Sequence, residues 1–174
     1  AVAHIFEKYG EQYGIDYLFV TAQGYQESRL RQETKSAVGA VGIMQLLPST
    51  AADPVVGIPD ISEVEDNIHA GVKYLDFLRS QNFNDPAVDR VNQTLFTLAS
   101  YNAGPARVKS LRKMAAEEGY DPNRWFDNVE IIAAREIGRE TVQYVTNILK
   151  YYTAYQLVLS DRAQRAQELE KLKR

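Results

Sequence analysis

The sequence has no cysteine among its 174 residues, which excludes disulfide bonds and thiolate metal sites. It also lacks an apolar run near the roughly 18 residues that a membrane-spanning helix needs. The N-terminus lacks the basic and then apolar layout of a secretory signal. Because residue 1 is not Met and leads almost directly into a helical pattern, we expect a mature or excised piece of a longer protein rather than a cytosolic chain.

An excess of positive charge is missing too. The chain carries 20 Lys and Arg against 23 Asp and Glu, a formal net charge of −3, whereas proteins that bind nucleic acid normally carry a clustered basic excess. His4 and His69 lie far apart, without the carboxylate and histidine spacing of a metal site, and no glycine-rich phosphate loop is present. We therefore expect no nucleic acid partner, no metal and no cofactor.

The remaining composition is that of an ordinary globular domain, with 45% hydrophobic and 25% charged residues. Alternating strand patterns are nearly absent, whereas apolar residues recur at spacings of three and four, which predicts an all-α domain. The predicted helices lie near residues 16–28, 65–79, 89–101, 105–118 and 138–159. Glycines and prolines between residues 30 and 59 predict loops that enclose short helical turns.

The predicted domain comprises residues 1–160. Residues 161–174 alternate charged and polar side chains with hardly any apolar content. We expect this segment to be a charged C-terminal extension, either a solvated helix or a frayed terminus.

Glu27 is the most informative single residue, because it ends a predicted helix that begins at Asp16 and is apolar on all sides. Such a helix is usually buried. Burial and the C-terminal end of a helix both raise the pKa of a carboxyl group, which suits a general acid. Gly24, beside Glu27 on the helical wheel, is expected to clear space for a ligand. The alternatives are a structural ion pair with Arg29 or Arg31 and a solvated carboxylate.

Segments in the same order resemble the successive motifs of the soluble-lytic-transglycosylase family, and the set is much more specific than any one of them. They are Glu27-Ser28, residues 36–46 (SAVGAVGIMQL), residues 99–104 (ASYNAG), residues 140–145 (ETVQYV), and the structural positions Asp66-Asn67-Ile68, Gly71 and Tyr74-Leu75. The resemblance covers about Phe6 to Tyr155. Within the family, residues 138–145 and Tyr151-Tyr152, after a stretch with Trp125, look closest to the membrane-bound form F.

The resemblance implies a lysozyme-like helical fold of the goose-type kind, and cleavage of the β-1,4 bond between N-acetylmuramic acid and N-acetylglucosamine in peptidoglycan. It implies a 1,6-anhydro product and Glu27 as the acid/base. It implies a periplasmic location, and the likeness to form F suggests a regulatory N-terminal domain or an outer-membrane anchor outside this chain. The positions that lie in the family's substrate-binding motifs are Ser36, Met44, Gln45, Tyr101, Asn102, Glu140 and Tyr144.

Individual roles follow from side-chain chemistry at these positions. Tyr101 is expected to hydrogen-bond Glu27 and to flank a sugar ring, or else to be a buried helix-face tyrosine. Ser36 would bind the acetamido carbonyl, or else be a turn residue. Met44 and Gln45 would offer an apolar surface and an amide to the glycan, although a Met in an apolar run is usually core packing.

Gly39 and Gly42 would let the loop backbone approach a saccharide closely, or would simply punctuate the loop. Glu140 would bind sugar hydroxyls or pair with a nearby Arg. Glu140 and Tyr144 share a helix face, since they are four residues apart.

The motifs supply one carboxyl group near the scissile bond, whereas most glycosidases use two. One suffices if the substrate's own 2-acetamido group attacks the anomeric carbon. Glu27 would then protonate the leaving oxygen and later take a proton from the 6-hydroxyl. The alternatives are a goose-type lysozyme-like hydrolase that delivers water, and a non-catalytic peptidoglycan-binding module.

Overall fold

The structure is a computed structural model that describes residues 2–174. Residues 2–174 contain no strand, only isolated β-bridges that pair Val41 with Lys35 and with Leu46, so the prediction of an all-α domain is confirmed. No helix in this range is long and apolar enough to cross a membrane. The helices are α1 (Val2–Tyr13), α2 (Tyr17–Ser28), α3 (Pro48–Ala52), α4 (Val64–Asn82), α5 (Arg90–Ala103), α6 (Pro105–Glu117), α7 (Glu130–Ile137) and α8 (Arg139–Leu172).

Helix starts follow local signals in the sequence. The Asp16 carboxylate accepts a hydrogen bond from the Leu18 backbone N–H at 3.0 Å, and Asp89 accepts one from the Asn92 backbone N–H at 2.8 Å. Both bonds satisfy N–H groups that the first turn of a helix leaves free. Helix α7 was not predicted, because it is short and follows an irregular turn at Trp125–Val129.

Helix α2 occupies the middle of the domain and packs against α1 and α8. Its Gly24 is buried, and a Cβ atom there would lie 3.1 Å from atoms of Ile43, Leu30 and Phe6. Because glycine has no side chain, neighbouring core residues pack directly against the α2 backbone at this position. The expectation that Gly24 clears space for a ligand is wrong, because the protein's own core fills that space.

The loop of residues 31–47 is held in place by a buried amide of α4. Asn67 is fully buried; its Nδ2 donates to the carbonyl oxygens of Val41 at 2.9 Å and Ile61 at 3.0 Å, and its Oδ1 accepts from the Met44 N–H at 2.8 Å. Gly42 has φ +79°, and a Cβ atom there would lie 2.3 Å from Asn67 Nδ2. Gly42 thus lets the loop approach Asn67 rather than a saccharide.

Helix α8 changes from buried to exposed along its length. Thr141, Tyr144, Val145 and Ile148 are buried, and the Tyr152 ring stacks on Phe19 of α2 with centroids 3.7 Å apart. Residues 156–174 are all exposed, and the helix continues to Leu172. Residues 161–172 are thus helical and exposed in the structure, while the division of the chain into a domain of residues 1–160 and a C-terminal extension stays a prediction.

Candidate active site

An open cleft of about 390 Å³ lies between the 31–47 loop, the end of α2, the end of α5 and the start of α8. Most of the predicted site residues meet there, whereas Met44 and Tyr144 do not line it. The lining residues are Glu27, Ser36, Val38, Ala40, Gln45, Leu46, Leu47, Thr50, Tyr74, Ser100, Tyr101, Asn102, Gly104 and Glu140.

Glu27 is the penultimate residue of α2 and lies partly buried at the cleft. Burial raises the pKa of its carboxyl group to about 8; a hydrogen bond from Tyr144 opposes this increase, and the negative charge of Glu140 adds to it. Glu27 forms no salt bridge with any residue in the range 2–174. Arg29 lies instead over the Tyr25 ring, 4.6 Å from its centroid. Glu27 therefore carries a proton at neutral pH and can donate it.

Tyr144 contacts the carboxyl group of Glu27 rather than the open cleft. Its side chain is 4% exposed. The hydroxyl donates to Glu27 Oε2 at 3.3 Å and accepts a hydrogen bond from Gln23 Nε2 at 3.0 Å. Burial, followed by the nearby charge of Glu27, raises the pKa of Tyr144 well above its usual value, so the hydroxyl keeps its proton. Tyr144 was predicted to bind substrate, but in the structure it contacts Glu27 and does not line the cleft.

Tyr101 lines the cleft with its ring but bonds a different partner from the one predicted. Its hydroxyl donates to the backbone carbonyl oxygen of Met44 at 2.6 Å, not to Glu27. The Met44 side chain is fully buried and packs so tightly on α4 that a Cβ atom at Gly71 would lie 2.6 Å from its Cγ. The expected apolar contact between Met44 and the glycan is therefore wrong, because this side chain belongs to the core.

Ser36 and Gln45 both reach the cleft from the loop. The Ser36 oxygen accepts from the Ala40 N–H at 3.0 Å, which leaves its hydroxyl proton free to donate to a ligand. Gln45 has φ +50°, and its Nε2 donates to the carbonyl oxygens of Thr34 at 3.1 Å and Gly42 at 2.9 Å. The amide oxygen of Gln45 is thus the part that can accept from a ligand.

Asn102 and Glu140 line the cleft from α5 and α8. Asn102 Oδ1 accepts from the Thr141 hydroxyl at 2.7 Å, which joins α5 to α8. Glu140 is exposed, and it forms no salt bridge with any described residue. The arginine partner considered for Glu140 is not found, and its carboxylate faces the same cleft as Glu27.

Several lining residues were not predicted to belong to the site, although some of them stand in the family motifs. Ser100 adjoins Tyr101, and its hydroxyl is buried without a partner among residues 2–174. Tyr74 belongs to the segment interpreted as structural, yet its ring lines the cleft, tilted against Tyr101 with centroids 5.5 Å apart. Gln23 does not line the cleft but bonds Tyr144, and it could have been suspected only from its position one helical turn before Glu27.

Comparison with known proteins identifies the family to which this chain is similar. Residues 4–123 match the family described as Transglycosylase SLT domain. A membrane-bound lytic murein transglycosylase F of Desulfosudis oleivorans is 37% identical over 161 residues, which are 85% of this chain and 35% of that protein. The chain spans about a third of the length of the curated relatives it matches.

Solved structures agree with the observed fold. The lytic transglycosylase Slt of Pseudomonas aeruginosa, solved as an inactive Glu-to-Gln mutant, is 26% identical with a TM-score of 0.69, over 90% of this chain and 24% of that one. The 70 kDa soluble lytic transglycosylase of Escherichia coli is 30% identical with a TM-score of 0.68, over the same shares of 90% and 24%. The predicted lysozyme-like helical fold is confirmed.

Proposed function

The chain belongs to the family of transglycosylase SLT domains, and we propose that it is the catalytic domain of a lytic transglycosylase that cleaves peptidoglycan. The predicted resemblance to this family and to form F is confirmed by the matched relatives. The main support for the proposal is the partly buried Glu27 at a cleft that several polar side chains line; the pKa of its carboxyl group is raised to about 8.

In the proposed first step, protonated Glu27 gives its proton to the glycosidic oxygen between N-acetylmuramic acid and N-acetylglucosamine. As the bond from the anomeric carbon to that oxygen breaks, the acetamido oxygen of the muramoyl residue bonds to the anomeric carbon. Substrate assistance of this kind removes the need for a second carboxylate as nucleophile. A carboxyl group with a pKa near neutral pH is suited to general acid catalysis.

In the second step, ionised Glu27 takes the proton of the muramoyl 6-hydroxyl, and the 6-oxygen bonds to the anomeric carbon and displaces the acetamido oxygen. The product is a 1,6-anhydro sugar, Glu27 regains its proton, and no water is consumed. The Tyr144 hydroxyl, which donates to Glu27 Oε2 at 3.3 Å, stabilises the ionised form between the two steps.

The polar groups of the cleft have complementary roles in this proposal. The free hydroxyl proton of Ser36 binds the acetamido carbonyl, and the Tyr101 ring flanks a sugar. Gln45 and Asn102 offer amides, and Glu140 accepts from sugar hydroxyls. A closely held 6-hydroxyl gives the intramolecular step its advantage over attack by water.

The test is mass spectrometry of peptidoglycan digested with the purified chain. We expect muropeptides with 1,6-anhydro ends, and a Glu27→Gln variant that is slower by about 10²- to 10⁴-fold, the usual contribution of a general acid/base. Glu7→Gln, an exposed glutamate of α1, controls for the loss of one negative charge. Reducing-end products alone would show a hydrolase, and an unimpaired Glu27→Gln variant would show that Glu27 is not the acid.

We also propose that the whole protein acts in the periplasm, where peptidoglycan lies, and that sequence outside this chain supplies an outer-membrane anchor or a regulatory domain. Two facts support this: relatives are named membrane-bound, and the chain spans about a third of their length. Fractionation of cells that produce the full-length protein tests it, and recovery in the cytoplasm would contradict it.

A further inference from the structure

A continuous hydrogen-bond chain leaves α2, crosses to α8 and returns to α2. Gln23 is fully buried one helical turn before Glu27. Its Nε2 donates to the Tyr144 hydroxyl at 3.0 Å, and that hydroxyl lies 3.3 Å from Glu27 Oε2. The chain therefore begins at an amide that does not touch the cleft and ends on the carboxyl group that the proposed reaction uses.

The Gln23 amide, as the first donor, sets the direction of both hydrogen bonds. An amide N–H can only donate, so the Tyr144 oxygen must accept from Gln23, and its single proton must point elsewhere. Tyr144 is 4% exposed, which leaves Glu27 as the acceptor for that proton among the described residues. A hydroxyl that accepts one hydrogen bond also becomes a stronger donor in the next one.

From this geometry we propose that Gln23 is a positioning residue: its amide holds the Tyr144 hydroxyl so that the hydroxyl donates to Glu27 and orients the ionised carboxylate for the second proton transfer. The catalytic consequence rests on the proposed function, whereas the hydrogen-bond relationship itself can be measured without any turnover.

The surroundings of the Gln23 side chain indicate that packing alone does not explain why an amide occupies this position. Its Oε1 is buried and has no partner among residues 2–174. Gln23 lines a small cavity of about 20 Å³ that is otherwise mostly apolar, with Phe19, Val20 and Leu75 in its wall. An unpaired buried carbonyl group destabilises a fold, so an apolar side chain would be the more stable choice here. The one hydrogen bond of this side-chain amide among residues 2–174 is to Tyr144.

The charged and ionisable groups around Glu27 make the inference separable from other effects. They are Tyr144 and Glu140 from α8 and Tyr101 from α5. Gln23 carries no net charge, and the hydrogen-bonded route from its amide to the carboxyl group of Glu27 runs through Tyr144. A double-mutant cycle between Gln23 and Tyr144 isolates that path.

The decisive experiment is an NMR titration of the Glu27 carboxyl carbon in chain labelled with ¹³C-glutamate, assigned by the signal lost in Glu27→Gln. We expect Gln23→Met, which keeps the side-chain volume, to raise the pKa of Glu27 by about 0.5, the effect of one weakened hydrogen bond. Tyr144→Phe should raise it further, and adding Gln23→Met to Tyr144→Phe should change nothing more. Gln23→Leu is measured alongside as a second apolar replacement.

The matched control is Thr97→Val, which removes a hydroxyl from the wall of the same cavity. The Thr97 hydroxyl donates to the Gln93 carbonyl oxygen, so its hydrogen bond does not involve Tyr144. This variant should titrate like the parent. An unchanged pKa of Glu27 in folded Gln23→Met and Gln23→Leu, or an equal rise in the Tyr144→Phe background, would overturn the inference.

Kinetics separate this inference from the proposed function. On a soluble glycan oligomer from peptidoglycan, Gln23→Met should lower kcat about two- to tenfold, the range of one ordinary hydrogen bond, with KM unchanged. If the pKa rises as expected but neither parent nor variant forms anhydro ends, the proposed function fails and the hydrogen-bond chain stands. If the parent forms anhydro ends and the pKa of Glu27 does not move, the inference fails alone.

Discussion

The Tyr101 hydroxyl donates to the Met44 carbonyl oxygen at 2.6 Å, and this bond joins α5 directly to the loop that forms the facing wall of the cleft. The Met44 side chain packs on Gly71 of α4 at the same time, and its N–H donates to Asn67. The loop is therefore anchored to two helices through one residue. This fixed wall lets Ser36 and Gln45 face Glu27 across a preformed cleft.

Tyr101→Phe should destabilise the fold by about 1–3 kcal/mol, because it leaves the Met44 carbonyl without its donor. In a chain of this size that loss lowers Tm by roughly 2–4 °C per kcal/mol, measurable by thermal unfolding. Tyr74→Phe is the control, since no hydrogen bond of the Tyr74 hydroxyl is found among residues 2–174. Equal Tm values for both variants would show that the Tyr101 bond does not hold the loop.

Glu27→Gln should be more stable than the parent, by an amount that depends on pH. The folded-state pKa of about 8 lies above that of an unfolded glutamate, so the parent loses stability as pH rises between about 4.3 and 8, by about 1.4 kcal/mol per pH unit. Below that window both states are protonated and the two proteins should unfold alike. Denaturant unfolding at pH 4, 6 and 8 measures the difference, and a gap that stays constant with pH would contradict a raised pKa.

Two single substitutions should move the alkaline limb of the pH–activity profile in opposite directions. Glu140→Gln removes a negative charge that raises the pKa of Glu27, so activity should fall off at lower pH. Tyr144→Phe removes a hydrogen bond that lowers the pKa, so activity should persist to higher pH although its maximum declines. Initial rates from pH 5 to 10 test both, and limbs that move together would refute this assignment of the two effects.

Glu140→Gln should still form 1,6-anhydro ends, at a rate reduced by less than about tenfold, because losing one exposed contact to a sugar hydroxyl costs about one hydrogen bond. The alternative is an inverting hydrolase in which Glu140 activates water. In that case the variant would lose nearly all activity, and the parent would release reducing ends. Quantitative mass spectrometry of the products of parent and variant distinguishes the two reactions.

Removal of residues 161–174 should change Tm by less than about 2 °C, because exposed side chains contribute little to stability. The matched truncation ends at Lys150 and also removes Tyr151 and Tyr152, which contact Tyr25 and Phe19 of α2 with ring centroids 4.7 and 3.7 Å apart. This longer deletion should lower Tm by more than about 5 °C, through lost aromatic packing. A large loss in the shorter truncation would mean that the tail stabilises the domain.

The helices could be predicted largely from local sequence, and the reasons are visible at particular residues. The helices predicted to begin at Asp16 and near residue 89 begin there, each with that aspartate as its N-cap, and α2 is buried because its apolar residues surround it. Helix α7 was missed because a helix of only eight residues after an irregular segment carries little periodic signal. Helix α8 continues through residues 161–172, one of the two outcomes that the sequence left open, because these residues are good helix formers without a stop signal.

The sequence could predict which residues belong to the cleft, but not how they are arranged around it. Helical spacing tells which face of a helix a side chain shares, but not which distant residue lies opposite. The apolar run around Met44 favoured core packing but left contact with the glycan open, and only the structure places the Met44 side chain in the core and Gln45 at the cleft. The same limit applies to the Tyr101 hydroxyl, whose partner lies 57 positions away.

The amino-acid sequence by itself determined the helical class, the helix starts and the family motifs, because these depend on the spacing of residues a few positions apart. Only the tertiary structure decided what surrounds the carboxyl group of Glu27. Burial between helices sets its pKa, and Tyr144, which donates to it, lies 117 positions away in the chain. A carboxyl group keeps its proton at neutral pH when burial excludes the water that would stabilise its ionised form. Water is excluded in this way only in the packed chain.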